Sequence, residues 1–305
     1  MLASFKDVIG RSQPGFVGLA LLVYATSIPL VAWRWRVVLS AVTRRQPPLG
    51  PLILASLASS FVNNVTPSAR LGGEACRVAA LVSLRFATAI QATVAIAYER
   101  LSEMPALIGL ALATLLVVGR IHVGAPSAVW TWLVAGGLAL IGAVTVRAVA
   151  ARAWRRLRDR RRGLESLTVA PSAIGMAALV SAAIWTLDVF RLRLIAAAFH
   201  APIDLPQAAT LAAITIVAGL IPTMGGLGVI EGGLVTGLIA MGVPPADAVA
   251  MTVVERAISY GLSTVVGFGA LSTLGGRTLW NAVRVGTPAA EAATTTSYAR
   301  GVPHL

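Results

Sequence analysis

Pro222-Thr223-Met224-Gly225-Gly226-Leu227-Gly228-Val229-Ile230-Glu231 closes one apolar segment and opens another, and Glu255-Arg256 follows downstream. The proline ends the first segment, the glycines permit a sharp, close turn, and an acid stands at the start of the next. The same order occurs earlier as Pro67, Gly72-Gly73-Glu74 and Glu99-Arg100. The offsets are 155 (222−67), 157 (231−74), 156 (255−99) and 156 (256−100), and Glu-Arg occurs nowhere else in the chain. A repeated Pro/Gly-broken apolar segment followed by an acid–base pair is how many membrane transporters build a site near the bilayer midplane.

The composition places that motif in lipid. Hydrophobic residues make up 57% of the 305, and the mean hydropathy is +0.81, outside the range of soluble domains. Gly15–Trp33, Ser127–Arg147 and Ala170–Phe199 each supply the ~20 residues a helix needs to cross the hydrocarbon. Lys6 is the only lysine among 25 basic residues, so the net charge of +13 is mainly arginine and reads as a topology signal. No soluble basic domain with interleaved aromatics is present, which excludes a nucleic-acid partner. Cys76 is the only cysteine and His122, His200 and His304 are scattered, so neither a disulfide, a metal set nor a cofactor is expected.

The expected fold is all-α: a polytopic membrane protein with inverted-topology repeats containing short broken or re-entrant helices. Residues 1–14 form a polar N-terminal segment, 15–275 the membrane domain, and 276–305 a disordered tail. Repeat one covers about 15–119 and repeat two about 170–275, linked by a span and an Arg-rich loop, 148–168. Gly50–Val65 and Gln207–Pro222 are short, Ala69–Arg85 is too charged to face lipid, and Phe86–Gly119 contains Pro105, which predicts a kink or strong tilt. Arg34, Arg36, Arg44 and Arg45 beside Trp33 and Trp35 read as a cytoplasmic helix end, and Arg191 and Arg193 follow Arg34 and Arg36 by 157 residues. Placing that end and the seven arginines of Arg152–Arg162 both in the cytoplasm makes equivalent helices run in opposite directions. Lys6 and Arg11 then fall on the outer side.

The candidate site residues are Arg70, Glu74, Arg77, Glu99, Arg100, Gly225, Gly226, Gly228, Glu231, Glu255 and Arg256, with Pro67, Gly72, Gly73 and Pro222 as structural breaks. The helix start after Gly228 leaves free N–H groups suited to an anionic head group or to the Glu231 carboxylate. Glu and Arg at i,i+1 point about 100° apart, so each needs a partner from another segment. Two arrangements meet that need: exchange between repeats (Glu99 with Arg256, Glu255 with Arg100), or pairing with Glu74, Arg77 and Glu231. Arg70 and Arg77, seven apart, can share a helix face and suit a phosphate. Asp188 and Arg191 can pair at i,i+3, with Arg193 snorkelling.

These residues resemble the lysylphosphatidylglycerol synthase transmembrane region, or flippase-like integral membrane, family. The likeness rests on Pro222, Gly225-Gly226-Leu227-Gly228-Val229-Ile230-Glu231, Gly242-Val243, Ala246, Ala248 and Glu255-Arg256 in the second half. In the first half it rests on Asn64, Pro67, Gly72-Gly73-Glu74 and Arg77, and in all it covers about 15–275. The resemblance implies translocation of a membrane lipid between the leaflets of the plasma membrane. Aminoacylated phospholipids, polyprenyl-linked sugars and hopanoid-type lipids are the substrate classes it implies. The soluble transferase domain of some members has no counterpart here, so synthase activity is not implied. Many members also carry a further helix before Gly15–Trp33, which would relieve the outer placement of Lys6 and Arg11. Two other function classes fit the sequence: a lipid head-group transferase using Glu74, Glu99 or Glu231 as base, and an accessory subunit of a lipid-modifying partner enzyme.

Overall fold

The structure is a computed structural model that describes residues 10, 12–67, 71–121, 169–219, 221 and 223–275, with side chains described for all of these but 111–121. Arg70, Pro222, Lys6, Arg11, the Ser127–Arg147 segment, the 148–168 loop and the 276–305 tail lie outside the described residues.

Among the described residues the chain is all-helical. The first half comprises α1 (Pro14–Thr43), α2 (Leu49–Val65), α3 (Leu71–Ser83) and α4 (Ala89–Ile121). The second comprises α5 (Pro171–Ala198), α6 (Leu205–Ala218), a 3-10 turn (Met224–Gly226), α7 (Val229–Ala240) and α8 (Pro245–Arg256). A π-helical segment (Ala257–Leu262) then leads into α9 (Ser263–Thr273). The order long, short, break, short, long is thus written twice. The starts of successive helices differ by 157 (171−14), 156 (205−49), 158 (229−71) and 156 (245−89).

Sequence chemistry sets the helix boundaries. Pro14 and Pro171 open α1 and α5 at positions where a missing N–H costs nothing. Asp204 accepts from Gln207 N–H at 2.7 Å while the Gln207 side chain accepts from Asp204 N–H at 2.8 Å, a capping box that starts α6. α1, α5 and Pro245–Thr273 are long and apolar enough to cross a membrane. Their outer faces carry Leu22, Leu179, Val265 and Phe268, the side chains a lipid-facing surface requires. α4 runs through Pro105 as a single element.

The halves interlock. α1 packs along α5, the short α2 of the first half packs on α9 of the second, and the short α6 of the second packs on α4 of the first. A side chain at Gly267 would run into the backbone of Leu57 and the side chain of Phe61, so this glycine sets how closely α2 and α9 approach. Two apolar cores form, each drawn mainly from one half and completed by the other: Ala20 joins the second, and Ala177, Ala270 and Leu271 join the first. Leu39, Leu52, Val62 and Leu81 anchor the first, and Ile195, Leu211, Leu234 and Leu238 the second.

Two expectations are corrected. α1 does not end at Trp33 but continues ten residues to Thr43 (43−33), with Arg34 and Trp35 buried. Arg34 is therefore not an interfacial topology charge. The helix continues because acids on α4 neutralise it, as shown below.

Candidate functional site

α3 and α4, like α7 and α8, are antiparallel neighbours joined by a short turn. Glu74 lies 9 residues before the end of α3 (83−74) and Arg100 lies 11 after the start of α4 (100−89). Glu231 and Arg256 stand at the same distances in the second hairpin (240−231=9, 256−245=11). Similar distances on the two sides of a turn bring residues nearly level, and both pairs form. Arg100 Nη2 meets Glu74 Oε1 at 2.6 Å, and Arg256 Nε meets Glu231 Oε1 at 2.7 Å.

Because i and i+1 diverge on a helix, the glutamates beside these arginines face the opposite long helix of their own half. Glu99, fully buried, accepts from Arg34 Nη2 of α1 at 2.6 Å and from Arg77 Nη2 of α3 at 2.7 Å. Glu255, 4% exposed, accepts from Arg191 Nη1 of α5 at 3.0 Å. The two sets are the same network at the repeat offset, since Arg191 stands 157 after Arg34. The exchange of partners between repeats, Glu99 with Arg256 and Glu255 with Arg100, is not made; the alternative pairing with Glu74, Arg77 and Glu231 is. Hairpin register decides this, because it brings the partners within a half level with each other.

Each half adds members of its own. Glu103, one turn on from Glu99, bridges Arg34 at 2.7 Å and Arg100 at 2.8 Å. In the second half Asp188 accepts from Arg191 Nη2 at 2.7 Å, the i,i+3 pairing that the spacing predicts. Arginines also lie over aromatic rings: Arg77 on Trp35 at 4.0 Å, Arg256 on Tyr260 at 4.8 Å and Arg191 on Tyr24 at 5.8 Å.

The glycine-rich break supports the second hairpin. Gly225, Gly226 and Gly228 have φ of 58°, 75° and 82°, a left-handed run that L side chains rarely adopt. It aims the Gly225 carbonyl at Arg256 Nη2, which donates to it at 2.9 Å. The N–H of Gly228 donates to Glu231 Oε2 at 2.6 Å. The free N–H at this helix start is therefore held by Glu231, the second of the two options its sequence allows. In the first half, Asn63 Oδ1 accepts from Gly73 N–H at 2.7 Å, and a side chain at Gly73 would occupy the position of that amide.

Between the halves lies a cavity of about 380 Å³. Arg34, Arg77, Glu99, Arg100 and Glu103 line it from the first half, and Asp188, Arg191, Glu255 and Arg256 from the second. Gly225 and Gly226 also line it, whereas Glu74 and Glu231, which hold Arg100 and Arg256, and Gly228, which donates to Glu231, do not. Asn64, Trp185, Thr223, Tyr260 and several serines, Ser56 and Ser259 among them, add to the polar wall. Asn64 Nδ2 donates to Ser263 Oγ at 3.0 Å and to Thr264 Oγ1 at 2.8 Å, and Tyr260 OH donates to the Asn64 carbonyl at 3.3 Å. These bonds tie the end of α2 to Tyr260 of the π segment directly after Glu255-Arg256 and to the first turn of α9. Such π segments are concentrated at functional sites.

Arg34, Glu103, Asp188 and Arg191 thus join the residues expected from sequence. The 157-residue offset between Arg34 and Arg191 was the available signal for two of them. Glu103 and Asp188 have no charged counterpart in the other half, so the repeat could not point to them.

The chain is 28% identical over 310 aligned positions to a protein named UPF0104 membrane protein from Methanothermobacter thermautotrophicus, an alignment covering 88% of each chain. Residues 2–267 match the family described as the lysylphosphatidylglycerol synthase TM region. A membrane protein by composition and by its spanning helices, this chain belongs to the lysylphosphatidylglycerol synthase TM region family.

Proposed function

We propose that the protein moves the head group of a membrane lipid from one leaflet to the other through the cavity between its two halves. The observation that carries this reading is that one cavity of about 380 Å³ is lined by charged groups from both repeats. Its size is in the range of small-ligand sites, and its lining offers guanidinium and carboxylate groups in place of water. Acyl chains would remain in the lipid outside, against faces as apolar as themselves.

The arginine distribution supports an inverted relation between the halves, with the Arg152–Arg162 loop on the cytoplasmic side of the plasma membrane. In such an arrangement a rocking of one half against the other exposes a central site to each side in turn. The two hairpins, each locked by its own Glu–Arg pair, are suited to move as rigid units. Family resemblance supports aminoacylated phospholipids, polyprenyl-linked sugars or hopanoid-type lipids as substrate classes.

The test is reconstitution into vesicles that carry head-group-labelled lipids of these classes, with the inner-leaflet label protected from an impermeant quencher. Accelerated loss of protection for one class supports the reading. No acceleration for any class, together with unchanged outer-leaflet composition in cells lacking the protein, overturns it.

A further inference from the structure

The two ion networks differ in charge. The first half sets Arg34, Arg77 and Arg100 against Glu74, Glu99 and Glu103, three against three. The second sets Arg191 and Arg256 against Asp188, Glu231 and Glu255, two against three. The surplus negative charge sits at Arg191, whose one guanidinium serves both Asp188 and Glu255. Glu255 Oε1 takes the arginine, and Oε2, buried, has no hydrogen-bond partner among the described residues.

Among the described residues the surroundings supply no further cation. On α8 itself Arg256 is turned to Glu231 and to the Gly225 carbonyl. On α1 Arg34 is held by Glu99 and Glu103, and Tyr24 lies under Arg191. α2 carries no charged residue, and the only charged residue of α7 is Glu231. The hydroxyls of Ser56 and Ser259 line the same cavity and are also without partners among the described residues. A buried carboxylate oxygen and unengaged hydroxyls are the hard oxygen donors that a small cation seeks. An uncompensated charge in such a place is costly, and a bound cation removes the cost.

We propose that Glu255 Oε2, with Asp188, binds a single small cation taken up from the cavity, a sodium ion or a proton. The role of that cation rests on the translocation reading: an ion held in the cavity would cross with the same rearrangement as the head group, so its gradient would drive the movement. Its binding does not depend on that reading, and the test is chosen accordingly.

The purified full-length chain in detergent, without added lipid substrate, is followed by its thermal midpoint and by tryptophan fluorescence, since Trp185 lines the cavity one turn from Asp188. In one arm sodium chloride replaces choline chloride at constant ionic strength and pH. In the other, pH is stepped without sodium. A saturable rise in midpoint of about 4–8 °C at about 100-fold excess over the Kd is expected in one arm, and that arm identifies the ion. Glu255→Gln keeps an acceptor for Arg191 while removing the surplus charge, so it abolishes the response. Asp188→Asn weakens it at least ~10-fold and serves as the second probe where Glu255→Gln fails to fold. Asp247→Asn, on the first turn of α8 away from the cavity, retains it. Responses to sodium and to pH that are the same in the wild type and in both variants overturn the proposal. Because neither readout involves lipid movement, failure here leaves the translocation reading standing. Ion binding in a protein that moves no lipid overturns translocation instead.

Discussion

Arg34 and Glu99 meet at 2.6 Å inside the protein, 5% and 0% exposed, and Arg191 and Glu255 repeat the pairing in the second half at 3.0 Å. The repeat therefore preserves not only a motif but the partner that neutralises it. In an apolar surrounding each carboxylate of this kind depends on its arginine.

Arg34→Ala leaves Glu99 with only Arg77, and Glu103 with only Arg100. The expected loss is about 3–5 kcal/mol, the usual cost of removing one partner of a buried pair. Arg34→Met combined with Glu103→Gln should recover much of it, because Glu99–Arg77 and Glu74–Arg100 then remain paired. Unfolding in mixed detergent micelles measures both, and an Arg34→Ala protein as stable as the wild type would show the pair to be dispensable.

Pairing within hairpins, and not between repeats, makes a separate prediction. A double-mutant cycle on Glu231 and Arg256 should give a coupling of about 0.5–3 kcal/mol, and a cycle on Glu255 and Arg100 a value near zero. The reverse order would restore the exchange between repeats.

The three glycines of the break should differ when changed to alanine. At Gly225 a side chain would meet the Tyr260 ring and the backbone of Asn64, in addition to the strain of φ 58°. At Gly228 the space is open and only the strain of φ 82° remains. Gly225→Ala should therefore cost about 1–3 kcal/mol more than Gly228→Ala, whose own cost is about 1 kcal/mol. Equal thermal midpoints for the two variants would contradict the packing of the break against the π segment.

The doubled Glu-Arg pairs and the glycine-rich break made the repeat and the short helices legible in the sequence. Arg34 was misread because arginine flanked by Trp33 and Trp35 has the composition of a membrane interface, whichever way its side chain turns. Only the acids on α4 decide the matter, and they lie 65 (99−34) and 69 (103−34) residues away. The hairpin pairs were within reach, since 9 and 11 residues on either side of each turn fix the register. The π segment was not, because nothing in Ala-Ile-Ser-Tyr-Gly-Leu departs from a helical sequence. The bonds of Asn63 to Gly73 and of Asn64 to Ser263 and Thr264 depend on tertiary approach, which no local sequence pattern shows.

The most direct test of head-group passage through the cavity is the rate at which labelled lipid crosses vesicles containing the wild type, Glu255→Gln or Arg100→Ala. Glu255→Gln keeps the Arg191 bond, and Arg100 is the most accessible of the three arginines in the first-half ion network, its side chain 34% exposed. The expected result is rapid crossing with the wild type and at least ~10-fold slower crossing with both variants, each still monodisperse and folded. Wild-type rates in both folded variants would contradict passage through this cavity.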